Sequence, residues 1–257
     1  VEAAQWAGLS AIGLTDHDNV DGIERAQAVG QKLGVEVISG VEMSSSDGDG
    51  DLHMVGLFFD VHSPELIECL HKLRNERVLR AGKIIGKLQK IGVALTEEEV
   101  IEVAGDAPPG RVHVADALCR RGIVSSLNEA FKRYIGDGGV AYVGKDLLLP
   151  EEAIDVIHKA GGVAIYAHPG LTGKDEYIPR LVAHGLDGIE VYCRHHAPTM
   201  FEHYRAIAEK HGLLMSGGTD YHGERNQSVQ LGSVTVPMHA VDALRAASGA
   251  AARAKSA

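Results

Sequence analysis

The sequence predicts an α/β fold in which a parallel sheet is covered by helices. Over residues 1–60, short continuous apolar strands alternate with helices, a pattern typical of parallel sheets that are buried on both faces. From residue 64 to about residue 139 the alternation gives way to helical spacing alone, and afterwards it resumes. The 257 residues suit one barrel-type domain, and the apolar and charged fractions are those of an ordinary globular protein.

The first part of the chain contains two predicted helices and three predicted strands. We expect helices over residues 1–8 and 20–33, because glycine commonly terminates helices and stands at position 8 and at position 34. The strands are short apolar runs at residues 11–15, 35–41 and 52–59.

The middle of the chain is predicted to be a helical insertion that forms a cap. Thr96 and Glu99 have the spacing of a capping box, in which hydroxyl and carboxylate each bind a free backbone amide at a helix start. Ser126 and Glu129 repeat this spacing. The predicted limits are 1–63 with 140–248 for the barrel, 64–139 for the insertion and 249–257 for a flexible tail.

Alternation of strands and helices resumes after the insertion. Pro150 suits the first turn of a helix, where its missing N–H is not needed. The predicted strands are residues 141–143, 163–167, 188–192 and 213–216. The predicted helices are residues 150–160, 176–184 and 198–211.

Charge, cysteine content and missing motifs exclude several classes of protein. The net charge of −10 argues against a broad surface for duplex DNA. Three cysteines without short spacing argue against a disulfide framework or a zinc ribbon and predict a cytoplasmic location. No apolar run is long enough to span a membrane, so no membrane partner is expected. Neither a Gly-x-Ser-x-Gly motif nor a phosphate-binding Walker loop occurs, so a serine hydrolase or a nucleotide-binding P-loop has no support.

Histidine and acidic residues follow one predicted strand after another. The segments are Thr15-Asp16-His17-Asp18, Gly40-Val41-Glu42, His168-Pro169-Gly170, Tyr192-Cys193-Arg194-His195-His196 and Asp220-Tyr221-His222. Taken alone, Thr15-Asp16-His17-Asp18 is also typical of a helix-capping turn, His168-Pro169-Gly170 of a simple turn and Asp220-Tyr221-His222 of a surface loop. Because the carboxyl ends of parallel strands converge on one face, their joint occurrence predicts imidazole and carboxylate donors gathered around divalent metal ions. His53 stays open at this point, since a core histidine would also fit its strand.

These motifs resemble those of the PHP (polymerase and histidinol phosphatase) family, in particular its stand-alone metal-dependent phosphoesterases with a helical insertion. The resemblance runs from residue 1 to about residue 234. It also includes Leu52-His53-Met54-Val55-Gly56 and Gly188-Ile189-Glu190-Val191-Tyr192.

The resemblance implies a distorted (β/α)7 barrel, similar to a TIM barrel, that binds two or three divalent ions such as Mn, Fe or Zn. The metal ligands it implies are His17, Glu42, His53, His168, Asp220 and His222. It implies a catalytic role near the substrate phosphate for His195, with His196 as the competing choice. Arg111 would clamp a phosphate through its forked guanidinium, and its alternative is a solvent-facing position at a helix start.

The chain departs from the family pattern at its beginning. The family's first strand carries His-x-His and then an Asp, all of them metal ligands, and no such strand stands before the first helix here. We expect that this strand is omitted from the chain, which would then be an incomplete and inactive fragment. The alternative is a variant with a permanently incomplete metal cluster.

The predicted function is metal-dependent hydrolysis of nucleotide phosphomonoesters, such as 3′,5′-bisphosphonucleotides, by a hydroxide that the metal activates. The expected partner is therefore a phosphorylated small molecule, namely a nucleotide. One alternative is 5′→3′ exoribonuclease action on short 5′-phosphorylated RNA, for which the insertion offers only Phe131 and Tyr134 as stacking aromatics. Another is a metal-binding module without catalysis.

Overall fold

The computed structural model describes residues 1–48, 51–105, 108–144, 148–223 and 229–249. The chain divides into two units, one of residues 1–70 with 147–257 and one of residues 71–146, and the first division falls inside a long helix. Of the predicted tail over residues 249–257, all but Gly249 lies outside the described residues. No described helix combines the length and the apolar character needed to cross a membrane.

The first unit is built on one curled sheet, a half-barrel of six strands. The strands are β1 (Ala11–Leu14), β2 (Glu36–Ser46), β3 (Asp51–Leu57), β4 (Val163–Tyr166), β5 (Gly188–Cys193) and β6 (Leu214–Gly218). Strands adjacent in sequence are adjacent in the sheet. The pairs β1–β2, β4–β5 and β5–β6 are parallel.

The expectation of a wholly parallel sheet is wrong at β3, which runs antiparallel to both β2 and β4. Only residues 47–50 connect β2 to β3, whereas a parallel crossover needs about a dozen residues or more. The connection is therefore a hairpin. As a consequence, the beginning of β3 lies at the sheet edge where β1 and β4 end.

Helices cover the sheet of the first unit. They are α1 (Glu2–Trp6), α2 (Ile23–Leu33), the first residues of α3 (Pro64–Lys90), and, after the second unit, α7 (Pro150–Lys159), α8 (Pro169–Thr172), α9 (Ile178–His184), α10 (Pro198–His211) and α11 (Met238–Ala247). Helix α2 packs on β2, α7 on β3 and α10 on β5. Leu244 of α11 is buried against strand side chains such as Ile38, Val55 and Ile165, which fixes the sheet from that side.

The second unit is helical. It holds the later part of α3 together with α4 (Glu97–Ala104), α5 (Arg111–Arg120), α6 (Leu127–Ala130) and a π-helical turn over Phe131–Ile135. Its buried core includes Ile84, Leu88, Leu95, Val100, Leu118 and Ile135.

Helix starts in the second unit follow the predicted capping pattern, with one difference. The box of Thr96 and Glu99 is present with both of its hydrogen bonds. At α6 the Ser126 hydroxyl accepts from the backbone N–H of Glu129, but the Glu129 carboxylate binds the N–H of Ser125 instead of that of Ser126. The second box is therefore shifted by one residue on its carboxylate side.

The strand predicted at residues 141–143 does not form in the described chain. The carbonyl oxygens of Tyr142 and Val143 accept hydrogen bonds from the side chains of Lys87 and Arg80 of α3. The backbone is therefore satisfied by long basic side chains rather than by a neighbouring strand.

Candidate metal centre

His17 is carried by a turn that is bound to β2 through both backbone and side chain. The N–H of Asp18 donates to the carbonyl of Glu42 at 3.0 Å, and the N–H of Glu42 donates to the carbonyl of Asp16 at 3.2 Å. The buried carboxylate of Asp18 accepts from the Ser44 N–H at 2.8 Å and from the Ser44 hydroxyl at 2.9 Å. The second acid of the Thr-Asp-His-Asp segment therefore anchors His17 beside Glu42.

The register of the hairpin brings His53 to Glu42. Ser44 of β2 pairs with His53 of β3. Because side chains alternate along a strand, Glu42, Ser44 and His53 lie on the same face of the sheet. His53 Nδ1 lies 2.6 Å from Glu42 Oε1, so the structure places His53 among the candidate ligands rather than in the core.

Glu42 is the hub on which three imidazoles converge. His168 Nε2 lies 3.1 Å from Glu42 Oε1, and His17 Nδ1 lies 3.6 Å from Glu42 Oε2. Burial opposes ionisation of Glu42. The hydrogen bonds from His168 and His53, together with the charge of His17, outweigh burial and hold the pKa of this carboxyl well below its usual range. The hub therefore presents an ionised carboxylate surrounded by imidazoles.

Three further predicted site residues lie beside the histidines that surround Glu42. They are His195, His222 and Asp220. The ring centroid of His195 lies 6.3 Å from that of His168, and the ring centroid of His222 lies 6.0 Å from that of His17. Asp220 joins the two ends, since its carboxylate lies 2.9 Å from His195 Nε2 and 3.5 Å from His222 Nδ1. All six predicted metal ligands and His195 are thus in one cluster of the first unit.

His196 makes its hydrogen bonds to backbone groups rather than to side chains of this cluster. Its Nδ1 lies 3.0 Å from the carbonyl oxygen of Val191, and its Nε2 lies 3.1 Å from the backbone nitrogen of Gly170. Burial, the largest cause, lowers its pKa. Of the two neighbouring histidines, it is therefore His195 that contacts an acidic side chain of the cluster, that of Asp220.

Glu190 is a further acidic group in this region, and sequence reasoning assigned it no role. Its carboxylate accepts the backbone N–H of His168 at 2.7 Å. Burial raises its pKa to about 7, against the hydrogen bond and the charge of His168, which lower it. The available signal in the sequence was one acidic residue between Ile189 and Val191 in an otherwise apolar strand.

Arg111 is the first residue of α5 and belongs to the second unit. Its guanidinium lies 5.7 Å from the centre of the Phe131 ring. A cation–π contact of this kind holds the side chain in place within its own unit. Its role in phosphate binding stays a prediction.

The donor set fits a divalent cation. Ligand atoms of His17, Glu42 and His53 lie within 4.8 Å of one another, and imidazole with carboxylate is the mixed set that Mn, Fe and Zn accept. A buried carboxylate with several imidazoles needs positive charge to offset its desolvation. His168 provides a second observation in favour of a bound cation. Its Nδ1 is buried and has no hydrogen-bond partner in the described part of the chain. A cluster of this composition on this sheet edge is that of a protein that binds divalent metal ions.

Known proteins share both the sequence and the fold. A 5′-3′ exoribonuclease of Haemophilus influenzae is 34% identical over 229 residues, which are 86% of this chain and 82% of that protein. A 3′,5′-nucleoside bisphosphate phosphatase of Chromobacterium violaceum is 33% identical over 89% of this chain and 83% of its own. The crystal structure of a Bifidobacterium adolescentis protein described as a metal-dependent phosphoesterase matches with a TM-score of 0.87 at 27% identity, over 96% of this chain and 89% of that one. No protein-family model matches the chain.

The chain therefore belongs to the family of these bacterial enzymes, the metal-dependent phosphoesterases. It is a hydrolase of phosphoric esters, as the motifs predict.

Proposed function

We propose that the protein hydrolyses phosphomonoesters of nucleotides, with 3′,5′-bisphosphonucleotides as its substrate class. The observation that carries the proposal is the convergence of His17, His53 and His168 on the ionised Glu42. The relative from Chromobacterium violaceum, named for this activity, supports the substrate class. We propose the six residues His17, Glu42, His53, His168, Asp220 and His222 as ligands of two or three divalent ions.

Within this site the chain's own residues bind, orient and protonate. A divalent cation bound there would supply Lewis acidity for phosphoester hydrolysis. Glu42 fixes the facing nitrogens of His53 and His168. Asp220 holds His195 Nε2 at 2.9 Å. We assign His195 the transfer of a proton to the leaving oxygen, because an imidazole can act as a general acid and Asp220 orients this one.

A second candidate is 5′→3′ exoribonuclease action, which the Haemophilus influenzae relative supports by its name. Two observations rank it behind the phosphatase. The aromatic rings that could stack on RNA bases, Phe131 and Tyr134, pack partly against the core of the second unit. They also lie under the guanidinium groups of Arg111 and Arg133, and Arg133 is paired with Glu129. A module without catalysis is not supported, because the chain matches named enzymes over most of their length.

Several finer features belong to this proposal and stay predictions. They are the (β/α)7 form of the barrel, the role of the helical unit as a cap, and Mn, Fe or Zn as the metal. A cytoplasmic location and the absence of duplex DNA and membrane among the partners are predictions of the same kind.

The proposed function is tested by comparing Glu42→Gln with Glu36→Gln. Both residues lie in β2, but Glu36 is exposed and paired with Arg245. In the full-length protein loaded with Mn²⁺, we expect phosphate release from adenosine 3′,5′-bisphosphate by wild type and by Glu36→Gln, and a loss of about a hundredfold or more in Glu42→Gln. Bound Mn²⁺, measured by elemental analysis, should fall in Glu42→Gln alone.

The same preparation separates the two candidate activities. Turnover of the bisphosphate is compared with that of a 5′-phosphorylated RNA pentamer at equal concentration. Faster turnover of the pentamer would show that exoribonuclease action, and not the proposed phosphatase action, is the main activity. Full activity and full metal content in Glu42→Gln would overturn the metal-site assignment itself.

A further inference from the structure

The turn that carries His168 has an unfavourable backbone conformation. His168 has φ 31° and ψ 55°, which lie in the left-handed region. A residue other than glycine pays about 1–2 kcal/mol there. A residue before proline, as His168 is before Pro169, also prefers an extended backbone. The surrounding structure must therefore hold this turn in place.

Two side chains accept hydrogen bonds from backbone N–H groups of the turn. The carboxylate of Glu190 accepts from His168 at 2.7 Å, and the imidazole of His196 accepts from Gly170 at 3.1 Å. Glu190 lies within β5, and His196 stands in the segment that follows this strand. The turn is thus attached at its first residue to β5 and at its third residue to the segment after β5.

The imidazole of His196 is fixed in the tautomer that this contact requires. The Val191 carbonyl can only accept, so Nδ1 carries the proton that it donates there, and the lone pair of Nε2 faces Gly170. The ring is stacked on Tyr204, with centroids 4.6 Å apart and an angle of 26° between the planes. The Tyr204 hydroxyl donates in turn to Asp175 at 3.0 Å. The acceptor is therefore preorganised.

Gly170 permits this approach. A Cβ atom at position 170 would lie 2.6 Å from Cδ2 of His196 and 2.5 Å from Cε of Met200. Real Cβ atoms do not approach other heavy atoms so closely. The turn and the ring thus fit each other only because position 170 has no side chain.

We propose that Glu190 and His196 are positioning residues that clamp the turn from His168 to Gly170, so that the His168 imidazole faces Glu42. The proposal rests on the proposed function, which gives His168 its role as a ligand. It assigns Glu190 the part of a hydrogen-bond acceptor rather than that of a further metal ligand.

Glu190→Gln and Glu190→Leu separate these two parts. Glutamine keeps a carbonyl oxygen for the N–H of His168 but has no charge, whereas leucine removes the acceptor. Titration of the metal-free protein with Mn²⁺, followed by electron paramagnetic resonance, should give an affinity within about threefold of wild type for Gln. For Leu it should be about 10–100-fold weaker, the usual effect of losing a group that orients a ligand. If Glu190→Gln binds Mn²⁺ as weakly as Glu190→Leu does, Glu190 acts through its charge and the clamp is refuted.

His196→Gln and His196→Phe test the other half of the clamp. Phenylalanine keeps the stack on Tyr204 and removes the acceptor, while glutamine can keep an acceptor. We expect the Mn²⁺ affinity of His196→Phe to be about 10–100-fold weaker than that of wild type, and the affinity of His196→Gln to be close to that of wild type. Phosphatase activity of the Phe variant should rise towards wild type as Mn²⁺ is raised to saturation, which a generally damaged fold would not do. Affinity in Phe equal to wild type would refute this half.

Two reference variants keep the result interpretable. His168→Ala should lose Mn²⁺ affinity. If it binds as wild type, the ligand assignment in the proposed function fails. If it loses affinity while Glu190→Leu and His196→Phe do not, only the clamp fails. Gly170→Ala should weaken affinity by displacing His196, and unchanged affinity there also counts against the clamp. Circular dichroism of each variant checks that the fold is retained.

Discussion

Replacing Asp18 by alanine should destabilise the first unit and loosen His17. The Asp18 carboxylate is buried and accepts two hydrogen bonds from Ser44. Hydrogen bonds to a charged group contribute about 1.5–3 kcal/mol each. The Ser44 hydroxyl can turn to another partner, but its backbone N–H, fixed within β2, cannot. Two hydrogen bonds at the lower end of this range, about 1.5 kcal/mol each, predict that the free energy of unfolding falls by about 3 kcal/mol.

Asparagine is the matched replacement at this position. Asp18 has φ 50°, and asparagine tolerates this left-handed backbone while alanine does not. Asparagine also keeps one carbonyl oxygen for the N–H of Ser44. Asp18→Asn should therefore cost about 1–2 kcal/mol, less than alanine. Asp21→Ala, at an exposed position of the same turn, should stay within about 0.5 kcal/mol of wild type.

Urea unfolding of the metal-free protein, followed by far-ultraviolet circular dichroism, measures these differences. Fluorescence would serve poorly, because Trp6 is 83% exposed already in the folded chain. The two units need not unfold together, so hydrogen exchange of peptides spanning β2 assigns the loss to the first unit. Equal stability of Asp18→Ala and wild type, or equal losses for alanine and asparagine, would refute the reasoning.

Three further predictions address other parts of the chain. Asp187→Ala should lower the free energy of unfolding by about 2 kcal/mol without changing KM, because its carboxylate binds His158 at 2.7 Å at the opposite edge of the sheet; urea titration and phosphate release measure both. Arg111→Met should raise KM about tenfold with little change in unfolding if the guanidinium binds phosphate, whereas a loss of stability alone would make it structural. The Ser125 hydroxyl, the largest cause, lowers the pKa of Glu129 from 4.5 to about 2. The ionised Glu129 carboxylate therefore stabilises the folded state above pH 4.5, and this stabilisation is lost as pH falls towards 2. The free energy of unfolding of Glu129→Gln, measured by urea titration, should depend less on pH between these values than that of wild type.

The sequence predicts which strands exist better than it predicts their direction. Apolar runs identify β2 and β3, but periodicity is the same in parallel and antiparallel strands. The length of the connection carries the missing information, since residues 47–50 allow only a hairpin. The direction matters for the site, because an antiparallel β3 brings His53, near its beginning, to the edge where Glu42 lies.

Long-range contacts explain the other differences. Residues 141–143 have the apolar pattern of a strand, but Arg80 and Lys87, more than fifty residues earlier, bind their carbonyl groups. Glu190 likewise has no neighbour in sequence that reveals its partner, the amide of His168, 22 residues away. Motif spacing identifies side chains at strand ends, whereas the partners that orient them come from adjacent strands.

Backbone strain in the described chain is concentrated at the cluster. Among the residues described, four other than glycine have positive φ: Asp18, Phe58, His168 and Asp220. Three of these belong to the segments that follow β1, β4 and β6 and carry the candidate ligands. The cost is about 1–2 kcal/mol for His168 and smaller for an aspartate, whose short polar side chain suits this backbone, and hydrogen bonds to specific partners hold Asp18 and His168 in place. Strain held in this way is typical of functional sites, and it explains why the orienting groups Asp18, Glu190 and His196 are as necessary to the cluster as the side chains they hold.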